Sequence, residues 1–126
     1  MFDKASLLQR LQELALPPSE YWVVAGGAMV MHGFREQTRD IDLGCSTRLA
    51  DELERRGVAV SRGADGLRKI AYADDVEIFE NWIEGAVEIV CGVPVVNVDG
   101  LIRMKKSVGR EKGFADIALI EKARKA

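Results

Sequence analysis

Residues 24–43 read V-A-G-G-A-M-V-M-H-G-F-R-E-Q-T-R-D-I-D-L, and the fold turns on how this stretch is read. The aromatic and β-branched run Tyr21–Ala25 predicts a buried strand. Gly26-Gly27 breaks it, and Ala28–His32 reads as a short helix running to Gly33. Glycines let backbone N–H groups approach an anion closely, and a first helical turn presents unpaired donors. The same pair also serves as a plain tight turn. Asp40–Leu43 reads as a second strand. Side chains two apart on a strand share a face, so Asp40 and Asp42 project together while Ile41 and Leu43 enter the core. Two carboxylates held this close repel unless a cation neutralises them. Hard oxygen ligands suit Mg²⁺ or Mn²⁺, whereas a solvated edge strand is the plain alternative.

Outward from that stretch, Ala5–Leu16 carries leucines at helical spacing and stops at Pro17-Pro18. Arg48–Arg56 predicts an exposed helix ended by Gly57. Val58–Ser61, Leu67–Tyr72 and Val76–Phe79 predict strands, the last two joined by a turn at Ala73-Asp74-Asp75. Val87–Val90 and Val93–Val96 are β-like pieces around Gly92, with Pro94 favouring an edge or a bend. Helices are expected over Asp99–Ser107 and Gly113–Lys125. The expected class is α+β, a mixed β-sheet with helices packed on it. In Asp75-Val76-Glu77-Ile78, Glu77 projects from the face opposite its apolar neighbours. It completes a three-carboxylate cluster if its strand lies beside that of Asp40 and Asp42.

The chain has 126 residues, room for one domain: an N-terminal helix over 5–16, a core over 21–98 and a helical segment over 99–125. Hydrophobic residues at 48% and charged residues at 30% exclude a disordered chain. A net charge of −2 excludes a wholly basic nucleic-acid binder. That sum hides opposite parts, since residues 36–88 hold 13 acids and 7 bases while residues 101–126 hold 3 acids and 8 bases. Cys45 and Cys91 lack metal-site spacing and read as reduced structural thiols. Neither a signal peptide nor a membrane span is evident, so a cytoplasmic protein is expected. His32, the only histidine, reads as closing a short helix by packing.

The run from Gly26 to Leu43 resembles the nucleotidyltransferase superfamily, which shares a DNA polymerase beta-like fold and whose mark is a Gly-Gly or Gly-Ser turn followed by D-x-D. H-G-F-R-E-Q-T-R-D-I-D-L looks most like small bacterial members related to abortive-infection and toxin–antitoxin nucleotidyltransferases. The segment D-G-L-I-R-M-K-K-S-V-G-R-E-K-G-F-A-D-I resembles their closing helices. The resemblance implies that Gly26 and Gly27 hold the phosphates of a nucleoside triphosphate such as ATP. It implies that Asp40, Asp42 and Glu77 bind Mg²⁺ or Mn²⁺, and that Arg39, Lys105 and Lys112 meet phosphate. Metal held by such acids activates an acceptor hydroxyl and stabilises departing pyrophosphate. The acceptor stays open among a protein, a tRNA and a small molecule. A homo-oligomer or a toxin–antitoxin partner is compatible with so short a chain.

Departures qualify the likeness. Gly27 stands where many relatives have Ser, Glu77 where Asp is commoner, Gly113 where Asp follows R-x-K, and Gly100 where an acid precedes Leu101. A non-catalytic nucleotidyltransferase-like binding module or antitoxin is the rival expectation. A plain RNA-binding domain fits less well, because the sequence shows no evident aromatic platforms.

Overall fold

The computed structural model describes residues 1–82, 86–109 and 111–125, leaving aside the side chains at 108, 111, 112, 124 and 125. The chain begins with α1 (Lys4–Leu14), which Asp3 caps through a reciprocal pair of hydrogen bonds with Ser6. Its leucines Leu7, Leu11 and Leu14 are buried. The helix ends before Pro17, because Ala15 turns left-handed at φ 53°.

Next come β1 (Tyr21–Val24), α2 (Ala25–Met31), β2 (Ile41–Cys45) and α3 (Thr47–Arg55). The expected glycine turn between strand and helix is instead the first turn of α2, with Gly26 and Gly27 inside it. The reversal falls one residue earlier, at Ala25, whose φ is 56°. Ser46 caps α3, and Leu49, Ala50 and Leu53 are its buried stripe.

The rest is β3 (Ala59–Arg62), β4 (Arg68–Ala73), β5 (Val76–Glu80), β6 (Val87–Val90), β7 (Val93–Val96), α4 (Val98–Val108) and α5 (Glu111–Lys125). The seven strands form one mixed sheet in the order β3-β4-β5-β2-β1-β7-β6. Pro94 therefore lies on an interior strand, and β6 is the edge. The sheet tolerates this because β7 meets β1 only at Val23↔Val95, past the residue that lacks an N–H. Cys91 is exposed in the β6–β7 turn, where it and Gly92 both have positive φ, so only Cys45 is a core thiol. Burial pushes the Cys45 thiol up to about 12.

Register assigns the two faces of the sheet. Asp42 pairs with Val24 on one side and with Glu77 on the other, and Lys69 pairs with Phe79. Partners in register share a face, so Asp42, Glu77, Phe79 and Lys69 stand on one side. Ile41, Leu43, Ile70 and Ile78 stand on the other, each fully buried.

Behind the sheet, a buried ion pair ties α3 to the strands. Arg68 Nε lies 3.0 Å from Glu80 Oε1 and Arg68 Nη2 lies 2.8 Å from Oε2, with both side chains 6% exposed. Arg68 also reaches Asp51 on α3 at 2.8 Å. Hydrogen bonds from Arg68 hold the Glu80 carboxyl down to about 2, against the opposing effect of burial. A depressed carboxyl stabilises the fold fully above its ordinary value of 4.5, and that contribution fades as pH falls toward about 2. Urea unfolding at pH 6 and pH 3 should show a clear loss of stability at the lower pH, and Glu80→Gln should narrow the difference. Glu80→Ala should cost about 1.5–3 kcal/mol at neutral pH, because it removes the charged hydrogen bonds of a buried guanidinium and leaves Asp51 as its counter-charge.

Candidate active site

Above the front face of the sheet lies a cleft of about 900 Å³. Its floor is β2 and β5, one wall is the start of α2, and another is formed by α4 and α5. Asp40, Asp42, Glu77, Arg39, Gly26 and Lys105 all line it, so the fold gathers six of the eight expected site residues.

Asp40 lies just before β2, and Asp42 lies within it. Burial pushes the Asp42 carboxyl up to about 6, and the negative charges of Glu77 and Asp40 push the same way. Lys69 and Lys105 offset only part of this. Asp42 is thus a carboxylate short of positive charge, as a cation ligand is before its cation arrives. The strand of the third acid lies beside that of Asp42, as expected. Glu77 sits beside Asp42 in register but forms an ion pair with Lys69, Nζ to Oε2 at 3.1 Å. Among the described residues, no three acids, histidines or cysteines converge as a metal-holding group. The donor set fits a divalent cation as two carboxylates, Asp40 and Asp42, with other ligands completing the shell.

The two glycines separate in role. A Cβ on Gly26 would overlap Thr38 Oγ1 and come within 3.2 Å of Arg35, so the bare backbone lets the α2–β2 connection close over it. Gly27 is buried instead, and a Cβ there would lie 2.9 Å from Val23 Cγ1. It does not line the cleft; it lets α2 pack onto β1. No side chain caps the start of α2, so the amides of its first turn keep their donors beside Asp42.

Lys105 reaches the cleft, but its Nζ lies 2.9 Å from Asp116 Oδ2. Arg35 holds the other oxygen of Asp116 at 2.6 Å. Burial pushes the Asp116 carboxyl up, yet Lys105 and Arg35 outweigh it and hold it below the usual carboxylate range. Gly113, the departure noted in the sequence, has a spatial cause: a Cβ there would lie 3.2 Å from the Lys105 carbonyl oxygen. The Lys112 side chain falls outside the described residues.

Sequence reading missed Lys69 and Asp116. An exposed lysine on a hairpin and an aspartate on a helix carry no local mark of the partners they meet. The apolar residue that follows Asp116, the buried Ile117, was the available signal of a carboxylate near an interior face. His32 behaves as expected, packing at the end of α2 with Nε2 2.8 Å from the Val96 carbonyl.

A provisionally assigned nucleotidyltransferase of Thermotoga maritima, TM1012, superposes with a TM-score of 0.62 at 16% identity, over 99% of this chain and 97% of that one. The enzyme ANT(2")-Ia, solved with adenylyl-2"-tobramycin, superposes with a TM-score of 0.53 at 18% identity, over 93% of this chain and 84% of that one. This is the nucleotidyltransferase fold. No protein-family model matches the sequence, and no curated protein does. At such identities the shared nucleotidyltransferase fold is a matter of backbone path.

The Asp116 cluster yields a direct test. Asp116→Ala leaves two cations facing each other with their counter-charge gone. It should cost about 3 kcal/mol in urea denaturation, and a change within about 0.5 kcal/mol would contradict the clamp.

Proposed function

We propose that the chain is a metal-dependent nucleotidyltransferase that moves a nucleoside monophosphate from a nucleoside triphosphate to an acceptor hydroxyl, with residues 1–126 acting as one catalytic unit. The observation that carries this reading is the juxtaposition on β2. Asp42 is under-neutralised, lies beside Asp40 and Glu77, and pairs in register with the strand end that opens α2. Fold likeness to TM1012 and to ANT(2")-Ia supports it.

In this reading Asp40 and Asp42 hold Mg²⁺ or Mn²⁺. The ion, when bound, supplies charge neutralisation at the reacting phosphate and lowers the pKa of the attacking hydroxyl. The chain's own groups do the rest. Amides at the start of α2 cradle phosphate oxygens next to Gly26, with the Arg35 side chain close by. Arg39 and Lys105 line the same cleft and neutralise the triphosphate, Lys105 from a position fixed by Asp116. Lys112 is assigned to this set by family likeness alone. Glu77 takes the acceptor's proton or turns from Lys69 toward the metal, since its half-exposed side chain leaves room for both. Positioning and neutralisation are what such a displacement needs most. The acceptor is a protein, a tRNA or a small molecule, and a toxin–antitoxin setting remains part of the proposal.

The Glu77–Lys69 pair also favours a second reading, a nucleotide-binding module without turnover. Incubation with α-labelled nucleoside triphosphates, Mg²⁺ and candidate acceptors separates the two. The catalytic reading expects label transfer with pyrophosphate release, reduced to background by Asp40→Asn with Asp42→Asn; transfer that survives this double substitution would sink it. The binding module expects bound nucleotide and no pyrophosphate.

Protons compete with the metal at Asp42. The carboxylate form prevails above about 6, so the rise in Tm produced by Mg²⁺ with ATP should be large at pH 7.5. It should shrink as pH falls through about 6, and Asp42→Asn should remove it at both ends of the range.

A further inference from the structure

Past Glu77 the cleft runs onto two aromatic rings. Phe79 stands two residues beyond Glu77 on β5 and shares its face, and Trp82 follows the end of the strand. Their ring centroids are 4.9 Å apart with planes at 61°, an edge-to-face pair. Both line the cleft and are only half-buried, unlike the core beneath them. Trp82 is also held in place. The Trp22 indole donates from Nε1 to the Trp82 carbonyl at 2.7 Å, and it fits there because Gly44 has no Cβ to collide with it. Lys69 stands across from Phe79 in register, its Nζ 5.9 Å from the Phe79 ring centroid and 3.1 Å from Glu77.

We propose that Phe79, Trp82 and Lys69 form a subsite for a nucleobase and its attached phosphate. The base packs against the Phe79–Trp82 pair, and the phosphate meets the Lys69 ammonium beside it. This rests on the nucleotidyltransferase reading and extends it to the part of the substrate that the carboxylates do not touch. Aromatic faces accept any base, because every base has a π-face. The Lys69 ammonium beside the ring gives the subsite a contact for phosphate. The subsite lies on the β4–β5 side of the carboxylates, away from the wall formed by Gly26 and Lys105. One chemistry has two sources here: the base of the triphosphate itself, or that of a nucleotide carrying the acceptor hydroxyl.

Titration calorimetry and tryptophan fluorescence on the full chain separate these cases, with ATP, AMP and inorganic tripolyphosphate as probes, each with Mg²⁺. ATP or AMP should bind more tightly than the ring-free parts of the molecule allow. Phe79→Leu and Trp82→Leu should each weaken that binding about tenfold while leaving tripolyphosphate unchanged. Phe79→Tyr keeps a ring and should restore it, which a merely structural role would not require. AMP binding that stays Phe79-dependent under saturating tripolyphosphate assigns the subsite to an acceptor nucleotide; loss confined to ATP assigns it to the donor's base. Base-containing ligands that bind no better than tripolyphosphate, or equally well to both leucine variants, overturn the proposal. So does an aminosugar that binds in a Phe79-dependent way where AMP does not. If tripolyphosphate fails to bind but AMP binding remains Phe79-dependent, the transferase reading falls and the subsite stands.

Discussion

The cleft depends on the way β2 is gripped from both sides. Its antiparallel pairing with β1 sets Asp42 against Val24, and its parallel pairing with β5 sets Asp42 against Glu77. Because side chains alternate along strands, a slip of one residue in either pairing would send these acids into the apolar layer. The opposite face prevents the slip. Ile41, Leu43, Ile70 and Ile78 are fully buried there, and the Arg68–Glu80 pair fastens β4 and β5 to α3. The hydrophobic layer behind the sheet therefore fixes the register of the charges in front of it.

Charge in the cleft is distributed unevenly. Asp116 is satisfied by two cations and sits below the usual carboxylate range, whereas Asp42 has neighbours of its own sign and sits above it. Two aspartates in one cleft thus differ in their surroundings, one organising basic groups and the other left short of positive charge. Lys69 stands between these regimes, pairing with Glu77 and reaching toward an aromatic ring.

Much of this was legible in the sequence. Alternation in R-D-I-D-L gave the face of the acids, and the apolar neighbours of Glu77 gave its direction. The α+β class followed from strands interleaved with amphipathic helices. What was hidden is non-local. Gly26 and Gly27 read as a turn because glycine pairs commonly make one, but Ala25 takes the left-handed residue and frees both for close packing. The aromatic pair escaped notice because Phe79 and Trp82 look like core residues until the sheet places them at an open cleft. Asp116 was silent because its partners lie on other segments, and Pro94 misled because its strand touches β1 only beyond the proline.

The Asp116 clamp also sets an order of events during synthesis. Arg35 and the aspartate that holds it are 81 residues apart, and α5 carries that aspartate. The sheet can begin to pair as the strands emerge, but the basic wall cannot be fastened until α5 has left the ribosome and docked. Domains generally fold as units as they are made. A nascent chain stalled short of α5 would thus display the acids without an ordered set of counter-charges. The basic wall of the cleft is therefore the last part of it to be fastened, because both of its cations wait for a carboxylate on the final helix.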